Sequence, residues 1–115
     1  AVDGARGPKT QANIARCFQH AINLDYKESL AVDGAFGTKS KEALGKHYVK
    51  NGEKQYLVTA VEIALMCRGY DPNGVECPGK FGDGLEKAVK QFQEDRGLTV
   101  DGIAGRNTIL KLIGC

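Results

Sequence analysis

Apolar residues recur along this chain at the three- and four-residue spacing of a single helical face. Ile14, Cys17, Phe18, Ala21 and Ile22 form one such stripe. Leu57, Val61, Ala64 and Leu65 form a second, with Arg68 at its edge, where the aliphatic stem can lie along apolar surface. Leu85, Ala88, Val89 and Phe92 form a third, with Lys87, Lys90, Gln91, Glu94 and Asp95 on the opposite side. Two shorter segments, 38–49 and 106–113, have Ala43, Leu44 and Tyr48, and Ile109, Leu112 and Ile113, as anchors. Gly69, Gly97 and Gly114 each follow a helical segment and suit the left-handed position that ends a helix. Beyond a few extended residues before each Asp-Gly, no run reads as a strand. The pattern predicts five helices and an all-α fold.

The connectors repeat. Val-Asp-Gly-Ala-Arg-Gly-Pro-Lys-Thr, from Val2 to Thr10, returns from Val32 to Ser40 and again from Val100 to Thr108. A degenerate copy runs from Cys77 to Leu85, with Pro78 and Leu85 in place of the Asp and the Ser or Thr. In this pattern Asp bonds its own backbone two residues on, and the first Gly takes a positive φ. Pro8 fits the first helical position, so Gly7 becomes the N-cap, and the Thr10 hydroxyl can reach back toward it. The same offset predicts helices starting just after Gly37, Gly82 and Gly105, with Asp83 in a first turn that favours negative charge. The expected architecture is a small helical bundle of two related halves joined by Asp-Gly-x-x-Gly turns. The halves are residues 1–50 and 51–115, and the boundary falls in Val49–Lys54.

The composition sets outer bounds. The 115 residues, 42% hydrophobic and 26% charged, suffice for one compact domain or two small packed halves. The net charge of +2, with no basic stripe, gives no indication of nucleic-acid binding. No apolar run is long enough to span a membrane, so no membrane partner is expected. The chain starts inside a repeat copy and without Met, which leads to the expectation of a fragment with a catalytic domain preceding it. Cys17, Cys67, Cys77 and Cys115 match no zinc spacing, and His20 and His47 are not near them in ligand spacing. The Asp-Gly turns carry one carboxylate each rather than the closely spaced ligands of a calcium loop. No metal or cofactor is expected.

The stretch from Leu85 to Ile113 resembles the second and third helices of the type 1 peptidoglycan-binding domain. The residues that carry the resemblance are Ala88-Val89-Lys90-Gln91-Phe92-Gln93, Gly97-Leu98-Thr99-Val100-Asp101-Gly102, Gly105 and Thr108. Tyr56 to Tyr70 is similar to that family's first helix. Phe18-Gln19, Ala21-Ile22-Asn23, Tyr26, Val32 to Gly37 and Ala43-Leu44 repeat the pattern in the first half. The resemblance implies a three-helix module attached to extracellular cell-wall hydrolases of bacterial or phage origin, such as amidases, carboxypeptidases and lytic transglycosylases. It implies peptidoglycan as the partner, the bacterial cell wall as the location, and a covalently fused catalytic domain. Metalloprotease prodomains share a related fold, and Cys77-Pro78-Gly79 faintly echoes their inhibitory cysteine loop.

No nucleophile elbow, zinc-protease helix or phosphate-cradling loop is present. A glycosidase needs two carboxylates facing across a cleft, and no motif selects a pair among the 14 acidic residues. The fragment is therefore expected to be noncatalytic. The alternatives are a small muralytic enzyme with unrecognised paired carboxylates, or a prodomain-like inhibitor. The candidate peptidoglycan-binding residues are Tyr26, Asp33, Arg68 and Tyr70. Arg68 can pair with a stem-peptide carboxylate, and the tyrosines can cover an apolar sugar or peptide face. Phe36 and Phe81, at equivalent places in their turns, are expected to be core plugs.

Overall fold

A computed structural model describes residues 8–70 and 79–114. The first repeat copy up to Gly7, the prodomain-like Cys77 and Pro78, and Cys115 lie outside the described residues, as does the side chain of Thr10. The element order is α1 (Pro8–Tyr26), α2 (Thr38–Leu44), β1 (Lys54–Gln55), α3 (Tyr56–Cys67), β2 (Gly79–Lys80), α4 (Asp83–Asp95) and α5 (Arg106–Ile113). The protein is mainly helical. To the five expected helices the structure adds a two-residue antiparallel ribbon, with Lys54 opposite Lys80 and Gln55 opposite Gly79. Strands this short carry no alternation for a sequence pattern to register.

Helices α2, α4 and α5 start where the Gly register places them, with Gly37, Gly82 and Gly105 as N-caps. None of the three receives a side-chain cap. The hydroxyls of Ser40 and Thr108 are instead acceptors for a neighbouring helix.

The core is one cluster. Phe18, Phe81 and Phe92 are its largest fully buried members, and each side chain of this kind contributes about 1.5–3 kcal/mol by leaving water. Phe36 is buried as well, so both turn phenylalanines pack inward. Helix α3 lies at the centre. Besides the stripe of Leu57, Val61, Ala64 and Leu65, it buries Val58 and Ala60, so it is enclosed on most sides rather than amphipathic. Helix α1 packs along α3. The Asp25 carboxylate near its end accepts the N–H groups of Tyr56 at 3.0 Å and Leu57 at 2.6 Å. A residue 31 positions away thus satisfies the orphan donors at the start of α3.

Gly79 of the degenerate copy is needed for close approach. A Cβ there would stand 2.6 Å from the Thr59 nitrogen, so β2 runs against the α3 backbone only because that atom is missing. Two polar ties fix the front of the molecule. Val49 and Ala104 exchange N–H···O bonds of 3.1 and 2.9 Å. Arg106 Nη1 donates to the carbonyls of Lys41 at 2.7 Å and Gly45 at 3.1 Å, which holds the start of α5 on the end of α2.

Candidate functional site

Both complete Asp-Gly turns among the described residues are built over a buried glutamine. In the turn before α5, Asp101 Oδ1 accepts the Ile103 N–H at 2.9 Å, which closes the local loop. Gln93 then reaches up from α4. Its Nε2 donates to Asp101 Oδ1 at 2.9 Å, the Ile103 carbonyl at 2.9 Å and Thr108 Oγ1 at 3.1 Å. Its Oε1 accepts the N–H groups of Asp101 and Gly102 at 3.1 and 3.0 Å. An amide has two hydrogens to share among those three acceptors, so its capacity is fully used. Gln93 is 1% exposed and ties α4, the turn and α5 together.

The turn after α1 has the same arrangement. Asp33 Oδ1 accepts the Ala35 N–H at 2.9 Å. Gln19 Nε2 donates to Asp33 Oδ1 at 3.1 Å, the Ala35 carbonyl at 3.0 Å and Ser40 Oγ at 3.1 Å, and its Oε1 accepts the Gly34 N–H at 3.0 Å. Gly34 and Gly102 sit at φ of 81° and 74°, the left-handed region that a Cβ resists. The Ala35 N–H, followed by the Gln19 amide, holds the exposed Asp33 carboxyl below the usual carboxylate range.

A groove opens over each network. The first, about 440 Å³, runs from Leu30 past Asp33 to Gly37, Lys39 and Ser40. The second, about 390 Å³, runs from Leu98 past Asp101 to Gly105, Arg106 and Thr108. Each lining includes one carboxylate, and that carboxylate is already engaged in its own turn. An adjoining depression of about 400 Å³ places Glu28 and Glu42 around Lys39. Among the described residues, no group of three or more His, Cys, Asp or Glu is placed to hold a metal. No described helix is long and apolar enough to cross a membrane.

Of the four candidate residues, one lines either of these two grooves. Asp33 lines the first. Tyr26 is half-buried, stacks on His47 with ring centroids 3.6 Å apart, and accepts a 2.9 Å bond from Gln55 Nε2 at its hydroxyl. Tyr70 packs edge-on to Phe92 and donates its hydroxyl to Asp95. Arg68 is buried, and its Nε donates to the Leu112 carbonyl at 2.7 Å, near the end of α5. There it stabilises a helix terminus from inside the molecule. Gln19 and Gln93 are not among the four candidates, although the repeated Phe18-Gln19 and Phe92-Gln93 pairs mark them in the sequence. Lys39 and Arg106 are likewise outside the four, and Tyr48, expected as an anchor of a segment running to residue 49, is 47% exposed because α2 ends at Leu44; its Cβ lies 3.9 Å from where a Cβ on Gly105 would stand.

Residues 54–112, just over half of the chain, match the family described as "Putative peptidoglycan binding domain". The chain is also 28% identical over 102 residues to the uncharacterized protein FadG of Bacillus subtilis (strain 168). That similarity covers 88% of this chain and 17% of the relative, so the chain spans about a sixth of that protein's length.

Proposed function

The chain belongs to the peptidoglycan-binding domain family, and we propose that it binds bacterial peptidoglycan without cleaving it, holding a fused cell-wall hydrolase of amidase or peptidase type at the wall outside the cell. The observation that carries this reading is the groove over Gln93, which lies inside the matched residues. Its Gln93 already donates to both Asp101 and Thr108, so the floor is preorganised and pays little ordering entropy on binding. Thr99 and Asn107 supply hydroxyl and amide groups for sugar hydroxyls and N-acetyl groups, and Leu98 supplies an apolar wall. Arg106 supplies a positive charge for a lactyl or stem-peptide carboxylate. The exposed Tyr48, whose Cβ is close to Gly105, offers a ring for a sugar at the edge of the groove.

The recurrence of the glutamine network supports the division into two related halves, residues 1–50 and 51–115. Of the four candidate residues, Asp33 belongs to the corresponding groove of the first half. Tyr26 and Tyr70 offer half-exposed rings outside the two grooves, and Arg68 supports α5 from beneath.

A fluorescent-protein fusion of this chain, incubated with purified sacculi, tests the reading. The sacculi are expected to become uniformly labelled, excess soluble muropeptide to strip the label, and released reducing ends and free amines to stay at the buffer level. Unlabelled sacculi would refute wall binding, and released products would point to the muralytic alternative.

A further inference from the structure

The groove over Gln19 lies outside the family-matched residues, yet its lining follows the other groove at the positions that build the turn. Leu30 stands where Leu98 does, Asp33 where Asp101 does, and Ser40 where Thr108 does. The floor is a glutamine 1% exposed in both cases, with the same three acceptors on its Nε2. Each groove also has one basic side chain in the first turn of the helix that follows, Arg106 at the first helical position in one and Lys39 at the second in the other, so the charge is shared although its position is not.

Gly37 and Gly105 add an argument from shape. Both have φ of −93°, a conformation any residue adopts. A Cβ on Gly37 would meet nothing within 4 Å, and one on Gly105 would meet only the Tyr48 Cβ at 3.9 Å. Neither backbone conformation nor internal packing requires glycine at these positions. The missing Cβ leaves room for a ligand to lie against the groove backbone.

We infer that the groove formed by Gln19, Asp33, Lys39 and Ser40 is a second site for the same class of ligand, an N-acetylated disaccharide bearing a peptide stem, so that one chain binds two fragments. This inference rests on the peptidoglycan reading of the first site. Ser29 and Thr38 supply hydroxyls, Leu30 an apolar wall, and Lys39 a charge for a stem carboxylate. The Val49–Ala104 pair and the bonds from Arg106 to the carbonyls of Lys41 and Gly45 hold the two grooves in fixed relation. On a wall that presents many strands, capture at one groove makes capture at the other intramolecular.

The test is isothermal titration of the whole chain with a purified soluble disaccharide-peptide. The inference predicts two fragments per chain. Gly37→Leu, which projects a side chain into the first groove, should lower this to one, Gly105→Leu should do the same for the second, and the double variant should bind none. Thermal melts identify any variant that fails to fold. Lys39→Glu, at an exposed position, provides a second variant for the first groove and should weaken one of the two binding events about tenfold or more. One fragment per chain, unaffected by Gly37→Leu and Lys39→Glu, overturns the second site and leaves wall binding intact. Two fragments unaffected by either variant also overturn it. No binding to the unsubstituted chain overturns the underlying reading.

Discussion

Gln93 Nε2 stands 2.9 Å from Asp101 Oδ1, and this contact joins the last turn of α4 to the turn that launches α5. Asp101 orders its own turn by accepting the Ile103 N–H, and Gln93 locks that ordered turn onto the core. Gln19 and Asp33 stand in the same relation at 3.1 Å. The floors of both grooves are therefore consequences of folding and need no ligand to assemble.

Replacing the buried glutamine removes several of these bonds and leaves backbone N–H groups without acceptors. Gln93→Ala and Gln19→Ala are each expected to cost about 2–4 kcal/mol, from two or more net hydrogen bonds at about 1 kcal/mol each plus unsatisfied donors. Urea unfolding of the two variants measures this. A loss under about 0.5 kcal/mol in either would mean that its network does not hold the turn.

The Asp25 carboxylate is the cap of α3. Asp25→Ala is expected to destabilise by about 1–2 kcal/mol, and Asp25→Asn by less, because its single amide oxygen keeps one of the two N–H bonds that the two carboxylate oxygens accept. Thermal melts of both variants check the order. Equal losses would show that a single retained N–H bond contributes nothing to the cap.

Asp33 sets an acid limit on the first turn. Its folded carboxyl lies below the usual range because the Ala35 N–H and the Gln19 amide favour the ionised form. The resulting stabilisation is complete above the unfolded carboxylate value of about 3.9 and is lost as the pH falls through the depressed folded value. Carbon-detected NMR of the Asp33 carboxyl should give a midpoint below 3.9 in the wild type and one closer to it in Gln19→Leu. A wild-type midpoint at or above that value would contradict the geometry.

The helix starts and the Asp-Gly turns were legible in the sequence because their causes are local. An Asp two residues before its bonded N–H, a Gly at positive φ and a Gly at the N-cap all lie within a single motif. What escaped depends on residues distant in sequence. Nothing near Asp25 announces that it caps a helix 31 positions on, and nothing near Arg68 announces the Leu112 carbonyl. Arg68 sits at the edge of an apolar stripe, where an exposed head and an inward head give the same spacing. The candidate site was read from residue types suited to sugars and carboxylates, which led to Tyr26, Asp33, Arg68 and Tyr70. The grooves themselves arise where α1 and α4 bring a glutamine under a turn, which becomes visible only when the helices are packed.

Cys17 provides a probe of the interface between α1 and α3. Burial, with Cys67 nearby, pushes its thiol above the ordinary range. Its alkylation by iodoacetamide in the folded chain should begin at higher pH than that of a free cysteine peptide, and the difference should vanish in urea. Reaction at the peptide's pH would show that the thiol is not shielded.

The central claim is that this chain adheres to peptidoglycan, and co-sedimentation with purified insoluble walls tests it most directly. The chain should pellet with the walls at low and moderate salt, remain in solution without them, and be displaced by soluble muropeptide. A chain that stays in the supernatant beside excess walls at low salt would contradict the account.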